Sequence, residues 1–447
     1  MLIIIVIVML VCEMKKIITL MLVAAALFLL AACGGVDNAD KTNTAEGLSD
    51  GENDGVLRDS GSKLNTTIIG VNGSVTARAS FTGGTPPYKY KYSCFKGDSP
   101  TDTEDFTDNT KQIISFSSSG SYTVRITAQD AAGEQAYKDI KITAKNRIVN
   151  YGIPYTYEKL CSDIDCLALT YPDIIKAYSI GYSEQHRDIK TVAVGRGSKK
   201  ALVVGGIHSR EHITVSFVMR CVEEYARAYC ENKKYGDYNI NSILDEYTIY
   251  FVPMSNPDGT NISVTRKNSA NVSIKGFDPD AFKANANGVN LNRNFPFNWE
   301  EQYSKIASTV GDTDYPGASS ASESETRAII ELCDDNDFEW LLDMHILGNG
   351  IYWRDSKNGE IKGDSRLLKK ITEKCSYRIF EETTDPDLYS GGLENWFRYE
   401  YKRPAFCIEL IPFEQGQKWD SYVGYNYSFD EAVDWEKTKY TFLAALS

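Results

Sequence analysis

Histidine is the scarcest chemistry-bearing residue in this chain, with four among 447 positions. Positive charge is also short: 48 Lys and Arg face 61 Asp and Glu, for a net charge of −13. That imbalance excludes nucleic acid or an anionic membrane face as the main partner, because either would repel it. None of the ten cysteines forms a Cys-x-x-Cys, which removes a cysteine-built metal site from consideration. The longest apolar runs are confined to the N-terminus. The few histidines are concentrated. Two stand in Gly205-Gly206-Ile207-His208-Ser209-Arg210-Glu211-His212, and a third closes Leu341-Leu342-Asp343-Met344-His345. His-x-x-Glu with a distant His supplies two imidazoles and a carboxylate, leaving a fourth zinc position open for water or substrate.

The length allows two or three domains. Met14-Lys15-Lys16 is a positive start and Ile17–Leu30 an apolar run, too short for a bilayer span of about 20 residues. Leu30-Ala31-Ala32-Cys33 resembles a bacterial lipobox. The resemblance implies a signal peptide over 1–33, a lipid on Cys33, and a location on the extracellular side of the bacterial cell membrane. Met1 and Met14 both remain as start sites. Residues 34–65 are rich in Asp, Asn, Gly, Ser and Thr, a composition that buries little and reads as a flexible linker.

Over 66–146, short alternating runs such as Tyr88–Tyr92 and Ser121–Thr127 are punctuated by Gly83-Gly84-Thr85-Pro86-Pro87 and Asp130-Ala131-Ala132-Gly133. This spacing predicts a small β-sandwich. Gly-Gly-Thr-Pro-Pro-Tyr and Ser-Gly-Ser-Tyr-Thr-Val resemble bacterial immunoglobulin-like or PKD-like surface modules. The module reads as a spacer, with wall or carbohydrate binding as the alternative. In an exported chain, Cys161 and Cys166 are near enough to pair, as are Cys221 and Cys230. Cys221 also falls on an apolar helical stripe, where a buried free thiol fits equally well.

From 150 to 447 the pattern becomes α/β. Ala201–Val204 is a continuous apolar run, as a strand buried on both faces requires. Phe217, Val218, Cys221, Val222, Tyr225 and Tyr229 follow at helical spacing. Further strands are expected over 247–253, 340–344 and 404–410, and helices near 321–338, 364–381 and 429–446. Such alternation predicts a mixed, mostly parallel sheet with helices on both faces, and a site at the carboxyl ends of its strands.

Five motifs come in order: Gly205–Glu211, then Asn256-Pro257-Asp258-Gly259, Asn292-Arg293-Asn294-Phe295-Pro296, Asp343-Met344-His345 and Cys407-Ile408-Glu409-Leu410. Together they resemble the zinc carboxypeptidases of the carboxypeptidase A type, over roughly 150–447. The resemblance implies Zn²⁺ held by His208, Glu211 and His345. It implies Glu409 as the general base and Arg266 as the cation that polarises the scissile carbonyl. Asn292 and Arg293 would grip the terminal carboxylate of a peptide or protein substrate, since a guanidinium clamps a carboxylate through two parallel hydrogen bonds. Glu394 falls where the family sets side-chain preference, and an acid there suits a cationic C-terminal residue or the amine of diaminopimelate in cell-wall peptides.

The chain departs from the family at three places. Asn290 stands where an Asp usually partners the first zinc histidine. Asp387 takes the position of a mobile tyrosine, with Tyr389 two residues away as a substitute. Ile346 replaces the Ser that commonly follows the last ligand. Three other readings stay open: an inverted His-x-x-Glu-His motif in which His212 also binds metal, a cell-wall stem-peptide endopeptidase of the same fold, and a surface lipoprotein that binds without catalysis.

Overall fold

In the computed structural model the described residues are 55–152, 154–301, 309–412 and 429–447. The expected signal peptide, Cys33 and the linker up to residue 54 lie outside them. No helix among the described residues is long and apolar enough to cross a membrane.

The N-terminal region is built only of strands: β1 (Arg58–Asp59), β2 (Lys63–Leu64), β3 (Ile68–Gly70), β4 (Ser74–Arg78), β5 (Phe81–Thr82), β6 (Lys89–Lys96), β7 (Ser99–Thr103), β8 (Lys111–Ser115), β9 (Gly120–Gln129) and β10 (Gln135–Lys145). A five-stranded sheet in the order β3-β10-β9-β6-β7 and a three-stranded sheet β2-β4-β8 share one apolar core. The alternation read from the sequence is visible along β9, where Tyr122, Val124, Ile126 and Ala128 are buried and their neighbours less so. Residues 58–64 do not behave as a linker. β1 pairs with β5 and β2 with β4, while Leu57 is buried and Leu64 packs on the core. Polar composition limits how much a segment buries, but an edge strand needs only one apolar side chain in two.

The remainder is an eight-stranded mixed sheet, in the order β11-β12-β16-β13-β17-β20-β18-β19. Its strands are β11 (Ile175–Tyr182), β12 (Asp188–Gly195), β13 (Lys199–Val204), β16 (Tyr247–Val252), β17 (Phe338–Leu347), β18 (Gly350–Tyr352), β19 (Arg378–Ile379) and β20 (Ala405–Ile411), with a small hairpin of β14 (Lys234–Tyr235) and β15 (Tyr238–Asn239) outside it. The central strands β16, β13, β17 and β20 are parallel; β11 and β12 on one side and β18 on the other run antiparallel to their inner neighbours. Ala201 and Val203 join one core, Leu202 and Val204 the other, so β13 is apolar throughout because both its faces are covered.

One face carries α2 (His212–Cys230), and α5 (Ser324–Asp334) and α8 (Leu393–Tyr401) pack on the other; α1 (Tyr157–Thr170), α3 (Ile240–Glu246), α4 (Pro257–Thr265), α6 (Asp364–Lys374) and the one-turn α7 (Pro386–Tyr389) complete the layers. The expected helix at 429–446 is broken into Phe429–Ala432, Trp435–Thr438 and Thr441–Leu446, the second capped by the Asp434 side chain on Lys437 N.

The strand region is tied to the larger sheet through polar contacts. The Glu223 carboxylate on α2 accepts from Ile148 N at 2.8 Å and Val149 N at 3.0 Å, and Thr170 Oγ1 accepts from Gly70 N at 2.9 Å. All described cysteines are free thiols. Cys161 and Cys166 lie on α1 and Cys221 and Cys230 on α2. Five and nine residues of helix turn each pair about 140° and about 180° apart, so neither pair faces itself.

Candidate metal centre and its cleft

The metal ligands come from the ends of two neighbouring strands. β13 ends at Val204, and Gly205-Gly206 turn the chain toward α2, with Gly206 at φ +63° and a Cβ there only 3.0 Å from the Val215 side chain. Thr214 locks the turn: its hydroxyl donates to Glu211 O and accepts from Gly206 N. His208 and Glu211 sit on this turn, with Glu211 as the residue before α2. Asn256, at the end of β16, caps α4 and donates its amide to Ile207 O and Ala284 O, holding the turn from behind. His345 lies near the carboxyl end of β17, in register with Glu409 on β20.

The three expected ligands meet. His208 Nδ1 is 2.9 Å from Glu211 Oε1, His345 Nδ1 is 3.1 Å from Glu211 Oε2, and the two Nδ1 atoms are 3.1 Å apart. Bonds of about 2 Å around a tetrahedral centre place donors about 3.3 Å apart, so the cluster is close to the spacing zinc demands. Two nitrogens and one carboxylate oxygen also suit zinc better than Ca²⁺ or Mg²⁺, which favour all-oxygen shells. Burial favours a neutral His208, its pKa falling to about 3 despite the nearby Glu211. Burial works against a charged Glu211, yet His208 and His345 hold its carboxyl well below the usual range. A neutral imidazole beside an ionised carboxylate is the ligand state zinc takes.

His345 Nε2 lies 2.9 Å from Asp343 Oδ2, a carboxylate that fixes the ring and leaves Nδ1 to face the metal. Sequence reading named the Asp343-Met344-His345 motif but gave Asp343 no role; the i, i+2 spacing on a strand, which puts both side chains on one face, was the available signal. His208 Nε2 has no such partner among the described residues. Asn290, expected to serve it, instead accepts from Asn292 N and donates to Thr313 O. His212 is buried at the start of α2 and is not part of the ligand cluster, which excludes the inverted motif. Ile346, in place of the family's Ser, belongs to the core on the opposite face of the sheet from His345 and does not face the metal pocket.

A cavity of 190 Å³ opens beside the metal ligands, and His208, Lys283, Asn292, Arg293, His345, Tyr389, Glu394 and Glu409 are among its walls. A larger cavity of 590 Å³ lies between the strand region and the C-terminal ends of α1 and α2, lined by none of the metal ligands. Glu409, half-buried, accepts from Leu347 N; burial lifts its carboxyl to about 8 against the pull of His345. Glu394, at the first turn of α8, is buried with Oε2 unpartnered among the described residues, and burial and Asp343 raise it to about 7 while His345 and Arg293 pull it down. Asn292 accepts from Leu393 N, and Arg293 donates to Asn292 O with its Nε 3.5 Å from Asp314. Tyr389 closes one side, packed on Phe297.

Arg266 is the expected site residue the fold leaves out. It ends α4 in the left-handed conformation, φ 57°, and its guanidinium makes two contacts with Asp280, at 2.5 and 3.1 Å. It is 43% exposed and does not line the cavity. Lys283 does line it, and sequence reading missed it because no motif spelled it out.

Residues 160–419 match the sequence profile of a family described as "Zinc carboxypeptidase". Over 273 residues the chain is 29% identical to gamma-D-glutamyl-L-diamino acid endopeptidase 1 of Lysinibacillus sphaericus, covering 59% of this chain and 67% of that protein. It is 25% identical to carboxypeptidase A1 of Bos taurus over 301 residues, 63% of this chain and 68% of that one. Among solved structures, bovine thrombin-activatable fibrinolysis inhibitor, in complex with tick carboxypeptidase inhibitor, shares the fold at TM-score 0.50 and 20% identity, over 66% of this chain and 96% of that one.

Proposed function

From the premise that this chain belongs to the zinc carboxypeptidase family, we propose that it hydrolyses the last peptide bond of peptides whose C-terminal residue carries a side-chain amine. The observation that carries the reading is the composition of one cavity wall: Arg293 and Asn292 beside the metal ligands, and near them the buried Glu394, whose Oε2 has no partner among the described residues. A terminal carboxylate fits the guanidinium, and an ammonium group would give Glu394 the partner that a buried carboxylate needs.

Zn²⁺, when bound by His208, Glu211 and His345, supplies a Lewis acid and lowers the pKa of water toward about 7. Glu409 lines the same space, where its carboxylate is placed to accept a proton from water. It takes the proton of the attacking water and later delivers it to the leaving amine. Asn292 and Arg293 set the register of the substrate, so that the bond next to the terminal residue lies by the metal.

A second reading has a specific observation behind it. The Lysinibacillus relative is named for a bond between γ-D-glutamate and a diamino acid, and a diamino acid also carries the amine that Glu394 would meet. In that case the substrate is a cell-wall stem peptide and the cut is internal to it. The lipobox reading of Cys33 puts the enzyme on the extracellular side of the bacterial membrane, with 58–145 as the spacer that holds it outward. Digests of a peptide set ending in Lys, Arg or Leu, and of a γ-D-glutamyl-diaminopimelate peptide, analysed by mass spectrometry, decide the matter. Release of terminal Lys or Arg supports the first reading, and cleavage of the γ-linked peptide alone supports the second. Cleavage of neither leaves a non-catalytic binder and sinks both.

A further inference from the structure

We propose that Lys283 is the catalytic cation that donates to the oxygen of the scissile carbonyl, the role that the sequence resemblance would give to Arg266.

The argument begins with the backbone. Ser209 lies between the ligands His208 and Glu211. Its hydroxyl donates to Phe282 O at 2.5 Å and its N–H donates to Lys283 O at 3.3 Å, while Asn256 bonds both Ile207 O and Ala284 O. Segment 282–284 is therefore stitched to the metal-binding turn on both sides of Lys283. Gly259 permits this close fit, since a Cβ there would stand 2.3 Å from Ala284 O. The backbone of Lys283 is thereby fixed beside the metal-binding turn, and its side chain reaches into the cavity from there.

Lys283 and Arg293 act on different groups in the cleft. Lys283 acts electrostatically on His208, Glu211 and Glu409. Arg293 acts on Glu394. Both cations line one cavity and Arg293 also acts on Lys283, but Lys283 is the one that acts on His208 and Glu409, and Arg293 on Glu394. Lys283 lines the cavity together with His208, His345 and Glu409, where its ammonium can meet a ligand. Arg266, by contrast, has its guanidinium occupied by Asp280.

In the reaction, the water oxygen bonds to the carbonyl carbon and the C=O π pair moves onto oxygen. The ammonium of Lys283 donates to that oxygen and stays protonated throughout. The C–N bond breaks as the C=O reforms, and the nitrogen leaves with the proton that Glu409 took from water. A fixed donor aimed at a developing oxyanion contributes about 10²–10³-fold in kcat.

The inference rests on the hydrolytic reading above, so its test has two arms. In the kinetic arm, Lys283→Met, Lys283→Arg and Arg266→Ala are compared with the unaltered chain on a peptide ending in Lys and on a γ-D-glutamyl-diaminopimelate peptide, with zinc content measured by atomic absorption. Lys283→Met is expected to lower kcat by about 10²–10³-fold on whichever peptide is cleaved, with KM little changed and zinc retained, and Lys283→Arg to recover part of the loss. In the binding arm, calorimetry with a phosphonate peptide, whose tetrahedral anion mimics the oxyanion, is expected to show a parallel loss of affinity in Lys283→Met and none for the free product peptide. That arm reads Lys283 even if the unaltered chain cleaves neither substrate, an outcome that would remove the proposed function alone. The assignment is overturned if Arg266→Ala carries the kcat loss instead. It is equally overturned if the Lys283→Met loss lies only in KM, if both peptides are cleaved and the loss appears only with the γ-D-glutamyl one, whose extra carboxylate would then be the true partner, or if phosphonate affinity is unchanged.

Discussion

Two groups of three ligand-bearing side chains lie within bonding reach of one another among the described residues: His208, Glu211 and His345, and Glu184, Glu323 and Glu325. In the first, the close contacts run between the ligands themselves, and the outer bond of His345 is taken by Asp343. In the second, each carboxylate already has other donors. Glu184 accepts from Ser324 N and Oγ, Glu323 from Asn285, Asn287 and Ser322, and Glu325 from Asn285. Proximity alone does not make a metal site. Lone pairs must remain unspent and converge on one point, as two imidazoles and one carboxylate allow, whereas three carboxylates repel one another.

The comparison breaks most sharply at the ligands. His345→Ala should reduce bound zinc from about one per chain to near none and hydrolysis by more than about 10³-fold, whereas Glu323→Gln should leave zinc content unchanged; atomic absorption on both variants is the check. Glu409→Gln separates ligand from base. Zinc should stay, and kcat should fall by about 10²–10⁴-fold, so loss of the metal from this variant would count against a purely catalytic role.

The second cluster has its own signature, in pH. Burial, reinforced by Asp258, Glu184 and Glu323, raises the Glu325 carboxyl from 4.5 to about 8. The fold therefore favours the protonated form. Its contribution to stability is complete below about 4.5 and is lost as pH rises through about 8. Glu325→Gln should be near neutral in thermal unfolding at pH 4.5 and stabilising at pH 8.5, on the order of a few kcal/mol. A variant equally stable at both pH values relative to the unaltered chain would show that the acid is ionised in the fold. The smallest effect is expected at Glu394. Glu394→Leu should lower the preference for terminal Lys over Leu by about tenfold or more, read from paired kcat/KM values.

Much of this was legible from residue order. β13, β16, β17 and β20 were each expected within a few residues, because a strand buried on both faces leaves an unbroken apolar run. His208, Glu211, His345 and Glu409 were legible because each lies at or just beyond a strand end, inside a short motif whose local geometry travels with it. The strands β1 and β2 were hidden inside a polar stretch, since backbone pairing leaves no compositional mark. The broken helix after 429 was hidden for a related reason: the stripe of apolar residues is preserved while Asp434 restarts the helix.

The sequence by itself determined the sheet and the short motifs that carry His208, Glu211, His345 and Glu409, since each depends on neighbours within a few residues or on strand periodicity. Only the tertiary structure decided which cation faces the reacting carbonyl. Arg266 and Lys283 lie 17 positions apart on one connecting stretch, and nothing in their local sequence ranks them. Asp280 captures the first, while Ser209 and Asn256, from two other strand ends, draw the second against the metal turn. A side chain's direction on an irregular segment is set by partners distant in the chain, and those contacts exist only once the sheet has formed.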